Sequence, residues 1–405
     1  MITPDEPGRH TAPSTTPPPP AARAGRVWED LSGSLIWPGL LRAAALALRP
    51  ARMTFAFVLV LTLAVLVVAA DAWVLRGQGD GSGVRGFGSI IKDQLTVVGG
   101  RLDAGKGAEG LWALIVLPVL LFREHAGVTM LLALPVAAAG AVFGGTIGRT
   151  AATEFGRRER TAWMDALVLS MRKWWTQSLA VLLPLVLIAV VAAALALLGR
   201  VLLGSSTTGW AGGLLFGGGM VVGVFIVLAL CVLVLALPML VPAVLIEGTD
   251  SIDAVQRSTA YVVAHPLRYV LYAAVLFVQL LVMIGVLAAI VQGACMVTGT
   301  LAAMFLEESF ADVVRQAAVF GTVPTVDAGE FPAWQRRAAG MIVFWRGLFQ
   351  VVPAVYAVSY FYTAGSALYL SMRRLCDGQD PGELWKPSDD EVSAPRATAG
   401  TEEDL

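Results

Sequence analysis

The sequence predicts an all-α, polytopic membrane protein: a helical bundle of about six transmembrane helices with amphipathic connector helices on the inner face. Three observations support this fold class. Of 405 residues, 57% are hydrophobic and 15% are charged, whereas soluble domains average about 45–50% apolar and about 25% charged residues. The apolar residues come in blocks of transmembrane length. Short polar segments with helical periodicity separate two pairs of these blocks.

Six apolar blocks are long enough to cross a bilayer, whose core requires about 20 apolar residues per helix. The predicted spans are residues 55–74, 128–147, 179–198, 214–246, 269–291 and 341–370. The fourth and sixth are over-long, which predicts tilt, a kink at Pro238, Pro242 or Pro353, or projection beyond the bilayer. Residues 111–122 are too short to cross, because twelve helical residues rise about 18 Å. We interpret them as interfacial or re-entrant, with a packed seventh span as the alternative.

The flanking and connecting segments define the domains. Residues 1–40 are predicted to be a disordered, Pro-rich cytosolic arm, and residues 375–405 an acidic, disordered cytosolic tail. The transmembrane domain between them, residues 41–374, has outer loops at 75–110 and 293–340. Within the second loop, apolar spacing predicts a surface helix over residues 301–320.

Lysine and arginine residues predict the orientation. The predicted inside segments carry 18 of them and the outside loops carry 9. Because positive residues are enriched in cytoplasmic loops, we expect both termini in the cytosol. The N-terminal segment is polar and Pro-rich rather than a signal peptide. The predicted location is the cell inner (cytoplasmic) membrane.

Two inner segments share a pattern that indicates an internal repeat. Residues 161–170 (TAWMDALVLS) and 249–258 (TDSIDAVQRS) carry Thr, Asp-Ala and Ser at matching offsets, and each precedes an apolar span. Helical spacing of apolar residues predicts an amphipathic helix in each copy, and the second has an N-cap within residues 249–251 and an end at Pro266. We interpret these helices as connectors; in the alternative, they dock a partner or transmit motion. The candidate docking face consists of Asp253, Gln256 and Arg257.

Three motifs in order carry a family resemblance: GGTIGRTAATEFGRRER (residues 144–160), EGTDSIDAVQRSTAYVVAHPLRYVLY (residues 247–272) and ALYLSMRRLCDGQDPGELW (residues 367–385). Together they resemble segments of an uncharacterised family of bacterial multi-pass membrane proteins. The chain departs from that pattern at His265 and Leu267, where we expect Arg and Trp. The second motif is more faintly similar to membrane domains that accompany glycerophosphodiester phosphodiesterases, although no segment resembles their catalytic barrel. The resemblance implies a fold and no activity.

Motifs typical of enzymes are missing from the sequence. It has no Walker A, HExxH, CxxC or nucleophile-elbow motif, and its histidines and cysteines lack metal-ligand spacing. The third, fourth and fifth predicted spans contain no ionisable Asp, Glu, Lys, Arg or His, which disfavours a proton relay or a charge-coupled carrier. The net charge of −1 gives no indication of a nucleic-acid partner. We therefore expect no enzymatic activity, no cofactor and no metal site.

Two carboxylates lie at the ends of predicted spans. Asp71 is near the outer end of the first span, and we interpret it as reaching the membrane interface. Glu247 is at the inner end of the fourth span. We interpret it as an anchor of the helix end, with an ion pair to Arg257 or Arg268 as the alternative.

The sixth predicted span carries a polar stripe at helical spacing, which includes Tyr356, Ser359, Tyr360 and Thr363. Interhelical hydrogen bonding is one interpretation, and the lining of a cavity for a polar or amphiphilic ligand is the other. The leading functional hypothesis is a non-enzymatic scaffold or accessory subunit of a membrane assembly. Its expected partners are the lipid bilayer and another membrane or cytosolic protein at the inner face. The alternative is a permease-like transporter of a neutral or lipid-like molecule.

Overall fold

Helices dominate the computed structural model, which describes residues 37–76, 86–204, 209–322 and 332–386. No strand occurs in these ranges, so the all-α prediction is confirmed. The helices are α1 (Trp37–Ala47), α2 (Pro50–Arg76), α3 (Phe87–Asp103), α4 (Gly107–Ala139), a π-helical segment (Gly140–Gly144), α5 (Gly145–Arg157), α6 (Trp163–Arg172), α7 (Trp174–Leu203), α8 (Gly209–Glu247), α9 (Ser251–Ala264), α10 (Pro266–Ala303), α11 (Glu308–Phe320), α12 (Ala333–Gln350) and α13 (Val352–Asp377).

Six helical stretches in the described ranges are long and apolar enough to cross a membrane. They are Pro50–Val74, Val116–Arg157, Trp174–Leu203, Gly212–Glu247, Pro266–Ala303 and Ala333–Asp377. Each contains one predicted span, so the multi-pass, six-span prediction is confirmed. Large apolar side chains cover their outer surfaces, such as Leu214 at 77% and Phe225 at 67% exposure. Such surfaces imply contact with lipid, since water would not solvate them favourably.

The sixth span consists of two helices. α12 ends at Gln350 and α13 begins at Val352. Pro353 lies in the first turn of α13, where a proline is tolerated because the backbone N–H there has no intrahelical acceptor. The predicted kink at Pro353 is therefore a junction between two helices.

Residues 111–122 lie within α4, which continues to Ala139 with one non-helical residue at His125 (φ −139°, ψ 56°). They form the first part of a long, broken helix that leads into the second span, and the described residues contain no seventh span. α3 packs against this part of α4, where Gln94 Nε2 donates to Ala113 O at 2.9 Å.

The predicted outer loops contain helices. The segment 75–110 contains α3, and Gly88 N in its first turn donates to Asp71 Oδ1 at 2.8 Å. Asp71 thus bonds an N-terminal amide of a helix, which needs such an acceptor. The segment 293–340 contains the end of α10, then α11 and the start of α12.

The surface helix predicted over residues 301–320 begins only at Glu308. Residues 301–303 belong to α10, and Phe305 in the intervening turn is 92% exposed. The buried face of α11 instead consists of Phe310, Ala311, Val313, Val314, Ala317 and Ala318. The prediction was wrong in its start because it counted the last turn of α10 as part of the same apolar face.

Both predicted domain boundaries fall inside helices. Residue 40 lies in α1, where Leu40, Ala43 and Ala47 are fully buried. Residue 375 lies in α13, and the chain after this helix packs on the bundle. The predicted tail thus includes the end of α13 and residues 378–386, which bond the bundle through Glu383 O and Trp385 N. The remainder of the predicted arm, residues 1–36, and of the tail, residues 387–405, lies outside the described residues.

Glycines let α13 approach its neighbours closely. A Cβ added at Gly365 would lie 2.1 Å from Pro238 O of α8, and one at Gly144 would lie 2.2 Å from the Tyr362 ring. Small residues permit such backbone approach, as the four-residue spacing of Gly140, Gly144 and Gly148 predicts. The pairs Gly213/Gly217 and Gly219/Gly223 of α8 repeat this spacing without such an approach, because a Cβ would meet a described atom within 4 Å only at Gly219, at 3.5 Å.

Candidate functional site at the connector end

One end of the bundle gathers two short helices and the chain after the last helix. α6 lies between the second and third spans, and α9 lies between the fourth and fifth. After α13, residues 378–386 run back over the same end, and we call this segment the strap. Trp385 N of the strap donates to Ile246 O, the penultimate residue of α8, at 2.9 Å. The connector end is defined as α6, α9, the strap and the helix ends that they contact.

Arg149 of α5 joins the strap to the fourth span. Its Nη2 donates to Trp385 O at 2.6 Å and its Nη1 to Leu245 O at 2.8 Å. Arg149 is only 7% exposed, and its acceptors here are carbonyls rather than a carboxylate. A buried charge is costly unless its donors are satisfied, so these two carbonyls hold Arg149 and Arg149 holds the strap.

Two further arginines bind the strap by its backbone. Arg157, at the end of α5, donates from Nε to Gly382 O at 2.7 Å and from Nη2 to Leu384 O at 3.2 Å. Arg373 of α13 donates from Nη1 to Glu383 O at 2.7 Å. Each guanidinium presents several donors, and together the three arginines bond the consecutive carbonyls of residues 382–385.

The strap tryptophan packs on a left-handed glycine. Gly248 has φ +72°, and a Cβ there would lie 2.4 Å from an atom of the Trp385 ring. Lys173 Nζ donates to Gly248 O at 3.2 Å and lies 5.1 Å from the centroid of the Trp385 ring, within the range of a cation–π contact. Only glycine satisfies both the backbone angle and the close approach.

Glu247, at the end of α8, is the centre of a polar cluster. Its Oε1 lies 3.0 Å from Arg373 Nε and accepts a hydrogen bond from Tyr369 OH at 3.1 Å. Its Oε2 lies 3.4 Å from Arg257 Nη1. The two arginines differ in exposure, since the side chain of Arg373 is 6% exposed and that of Arg257 is 40% exposed. The sequence indicated the Arg257 pair as an alternative and missed Arg373.

Tyr261 links α9 to the end of α13. Its hydroxyl donates a short hydrogen bond to Asp377 Oδ2, and its ring centroid lies 5.6 Å from that of Tyr369. Burial raises the pKa of the Tyr261 phenol well above its ordinary value, and the hydrogen bond to Asp377 and the charge of that carboxylate raise it further. Tyr261 therefore stays protonated and keeps α9 bonded to α13 at neutral pH.

A buried carboxylate, Glu154 of α5, lies between Arg49, which precedes α2, and Arg52 in its first turn. Arg49 forms an ion pair with Oε1, and Arg52 Nη2 donates to Oε2 at 2.7 Å. Arg52 is 3% exposed and also donates to Leu46 O at 2.6 Å and to Thr150 O at 2.9 Å. These bonds fix the α1–α2 junction to α5.

The three residues of the predicted docking face lie in two environments, the exposed surface of α9 and the polar cluster around Glu247. Asp253 and Gln256 are exposed on α9, whereas Arg257 turns toward Glu247. α9 begins after an N-cap at Asp250, which makes no side-chain capping bond. The predicted end is confirmed, because α9 stops at Ala264 and Pro266 starts α10.

The predicted cavity-lining residues are buried in helix contacts. Tyr356, Ser359, Tyr360 and Thr363 are each at most 2% exposed. Ser359 Oγ donates to Ala47 O of α1 at 2.8 Å, and Tyr360 OH donates to Leu276 O of α10 at 2.8 Å. The hydroxyl of Thr363 has no hydrogen-bond partner among the described residues. The bonds of Ser359 and Tyr360 are those that the interpretation as interhelical hydrogen bonding predicts.

Arg149, Glu154 and Arg373 are site residues that were not predicted from the sequence. The first two lie in the first motif that carries the family resemblance, and the third lies in the last motif. Each belongs to a helix stretch that can span a membrane. Since a charge in such a position is costly unless paired, the charges themselves were the available signal that these residues have polar partners. The three motifs meet at the connector end.

No group of three or more His, Cys, Asp or Glu side chains that could hold a metal ion occurs in the described part of the chain. Compared with protein-family models, curated proteins and solved structures, the chain matches none of them. The family resemblance of its three motifs therefore stays a prediction.

Proposed function

We propose that the chain is a non-enzymatic scaffold or accessory subunit of a membrane assembly, and that it presents the connector end to a partner protein. The observation that carries this proposal is the binding of the strap by Arg149, Arg157 and Arg373. These bonds join α5, α8 and α13 into one layer. A surface held in one arrangement loses little conformational entropy when a partner binds.

The paired state of the buried charges supports a role without catalysis. Glu247 bonds Arg373 and Tyr369, and Glu154 bonds Arg49 and Arg52. A general acid, general base or nucleophile must reach a substrate with a free lone pair or proton. Both oxygens of each carboxylate instead contact side chains from neighbouring parts of the bundle.

The exposed face of α9 supports docking. Asp253 and Gln256 are exposed, and the same helix also exposes the apolar side chains of Ile252 (58%) and Val263 (64%). Arg257 turns toward Glu247, whereas Asp253 is exposed and presents a carboxylate on the outer face of α9. We expect a membrane or cytosolic protein that offers apolar side chains and a cation. The excess of Lys and Arg in the connector segments supports a cytosolic position for this end, in the inner membrane.

Site-specific photo-crosslinking tests the docking proposal. A photoreactive residue replaces Gln256 in full-length protein in cells, and the matched control replaces Gln316, which is exposed on the short helix α11 between the fifth and sixth spans. The proposal predicts a discrete cross-linked product from position 256 alone, with one identified protein, and its loss on Asp253→Lys. Equal products from both positions, or a product that survives Asp253→Lys, contradict the proposal.

The permease alternative has less support from the polar stripe. Ser359 and Tyr360 bond carbonyls of α1 and α10, so their hydroxyls are already engaged. Labelling of single cysteines placed at positions 356, 360 and 363 with a water-soluble maleimide distinguishes the two functions. The scaffold proposal predicts protection at all three positions, and a permease requires labelling of at least one.

A further inference from the structure

A cavity of about 200 Å³ lies where α2 begins and the segment after α5 leads into α6. One water occupies about 30 Å³ in the liquid, so the cavity can hold a larger group. The residues that define its chemistry are Arg49, Arg52, Phe55, Glu154, Arg160 and Trp163. It is separate from the strap and from the exposed face of α9.

The charge of the cavity lining is positive. Three guanidinium groups face one carboxylate there, since Glu154 binds both Arg49 and Arg52. Arg52 is buried and donates hydrogen bonds to Glu154 and to backbone carbonyls, so it positions the carboxylate. Arg49 keeps 35% of its side chain exposed. Arg160 is exposed and makes no hydrogen bond or ion pair with a described residue. Arg49 and Arg160 can therefore donate to an anion.

The position of the cavity matches the boundary between headgroups and hydrocarbon. Arg49 immediately precedes the first span, Pro50–Val74, and Arg160 follows shortly after the end of the second, at Arg157. The rings of Phe55 and Trp163 pack with centroids 5.9 Å apart, and Trp163 is 47% exposed. Tryptophan is enriched at this depth of a bilayer, because its ring is amphipathic.

We propose that this cavity binds the phosphate of an anionic phospholipid headgroup. Arg49 and Arg160 donate to the phosphate oxygens, a geometry that guanidinium groups satisfy bidentately. Phe55 and Trp163 contact the glycerol and the first methylene groups. A lipid uses both the charges and the aromatic wall, whereas a free phosphate uses the charges alone. The site is independent of the proposed scaffold function.

Lipid titration of the full-length, detergent-solubilised protein tests this proposal. Native mass spectrometry measures binding of dioleoyl phosphatidylglycerol and of dioleoyl phosphatidylcholine to the wild type, to Arg160→Gln and to Arg49→Gln. Arg374→Gln is the matched control, because Arg374 is exposed in the last turn of α13 and does not line the cavity. Each cavity variant should weaken phosphatidylglycerol binding by about tenfold or more, since hydrogen bonds to charged groups contribute about 1.5–3 kcal/mol.

The control should change phosphatidylglycerol binding by less than about twofold, because exposed distant charges are screened. Arg160→Gln should also leave thermal unfolding unchanged, since Arg160 bonds no described residue. Equal binding of the two lipids, or equal losses in Arg160→Gln and Arg374→Gln, overturns the site. If inorganic phosphate binds in an Arg160-dependent manner and phosphatidylglycerol does not, the assignment to lipid is overturned.

Discussion

The two arginines that share Glu247 provide a test of how the connector end is held. Arg373→Gln and Arg257→Gln each remove one positive charge that faces the Glu247 carboxylate. They differ in burial, because the Arg373 side chain is 6% exposed and the Arg257 side chain is 40% exposed. The contacts also differ in length, at 3.0 Å for Arg373 and 3.4 Å for Arg257.

Burial determines the expected magnitudes. Breaking a buried pair costs about 3–5 kcal/mol of unfolding free energy when the remaining charge is uncompensated. Arg257 and Tyr369 still contact Glu247 in Arg373→Gln, so we expect a loss of about 3 kcal/mol, the lower end of that range. An exposed pair contributes about 0–1 kcal/mol, which is the loss expected for Arg257→Gln. Arg373 also donates to Glu383 O, and Glu247→Gln combined with Arg373→Gln separates the two contributions. The double variant should lose less free energy than the sum of the single variants.

The assay is unfolding of the purified full-length protein in mixed micelles during titration with sodium dodecyl sulfate, followed by circular dichroism. The unfolding free energies of the wild type and the four variants are compared at one pH and one salt concentration. Equal losses for Arg373→Gln and Arg257→Gln, or strictly additive losses for Glu247→Gln and Arg373→Gln, would refute the reasoning.

Three further predictions use the same assay. Gly248→Ala places a Cβ against the strap tryptophan at φ +72° and should cost about 1–3 kcal/mol, whereas Gly285→Ala, which meets no described atom within 4 Å, should not destabilise; equal effects contradict the strap contact. Gly365→Ala, 2.1 Å from a carbonyl of α8, should cost about 1–3 kcal/mol through overpacking, and Gly347→Ala, which meets no described atom, is its control; a neutral Gly365→Ala contradicts the close approach. The raised pKa of Tyr261 stabilises the folded protein at pH values below the phenol's unfolded pKa of about 10, and this stabilisation is lost as the pH rises through the folded-state pKa. The difference in unfolding free energy between the wild type and Tyr261→Phe should therefore shrink above about pH 10. A difference that is constant with pH contradicts the raised pKa of Tyr261.

The spans could be predicted from the sequence because their signal is local. A bilayer requires about 20 apolar residues in one helix, and each predicted run lies inside a helix that is long and apolar enough to cross. The boundaries were less accurate, since apolar length does not show where a helix ends. α10 continues to Ala303, twelve residues beyond its predicted end at residue 291.

The connector end could not be assembled from the sequence because its contacts join distant residues. Arg149 bonds Trp385 across 236 positions, and no periodicity relates them. The sequence predicts residues 375–386 as part of an acidic tail, although carbonyls of this segment accept from three buried or partly buried arginines. Backbone acceptors leave no trace in side-chain composition, so the strap was missed.

The polar stripe shows the same limit on a smaller scale. Its helical spacing located one face of α13 correctly, and all four named residues are buried. The spacing alone did not distinguish a cavity from a helix contact. That distinction depends on the carbonyls of α1 and α10 to which Ser359 and Tyr360 donate.

Hydrogen–deuterium exchange of the strap tests the central claim, that residues 378–386 are bonded to the connector end by arginines. The account predicts slow exchange of the Trp385 amide, which bonds Ile246 O, in the full-length protein in nanodiscs. It also predicts that Arg149→Met accelerates this exchange, whereas Arg374→Gln leaves it unchanged. Fast exchange of Trp385 in the wild type, or protection that persists in Arg149→Met, would contradict the account.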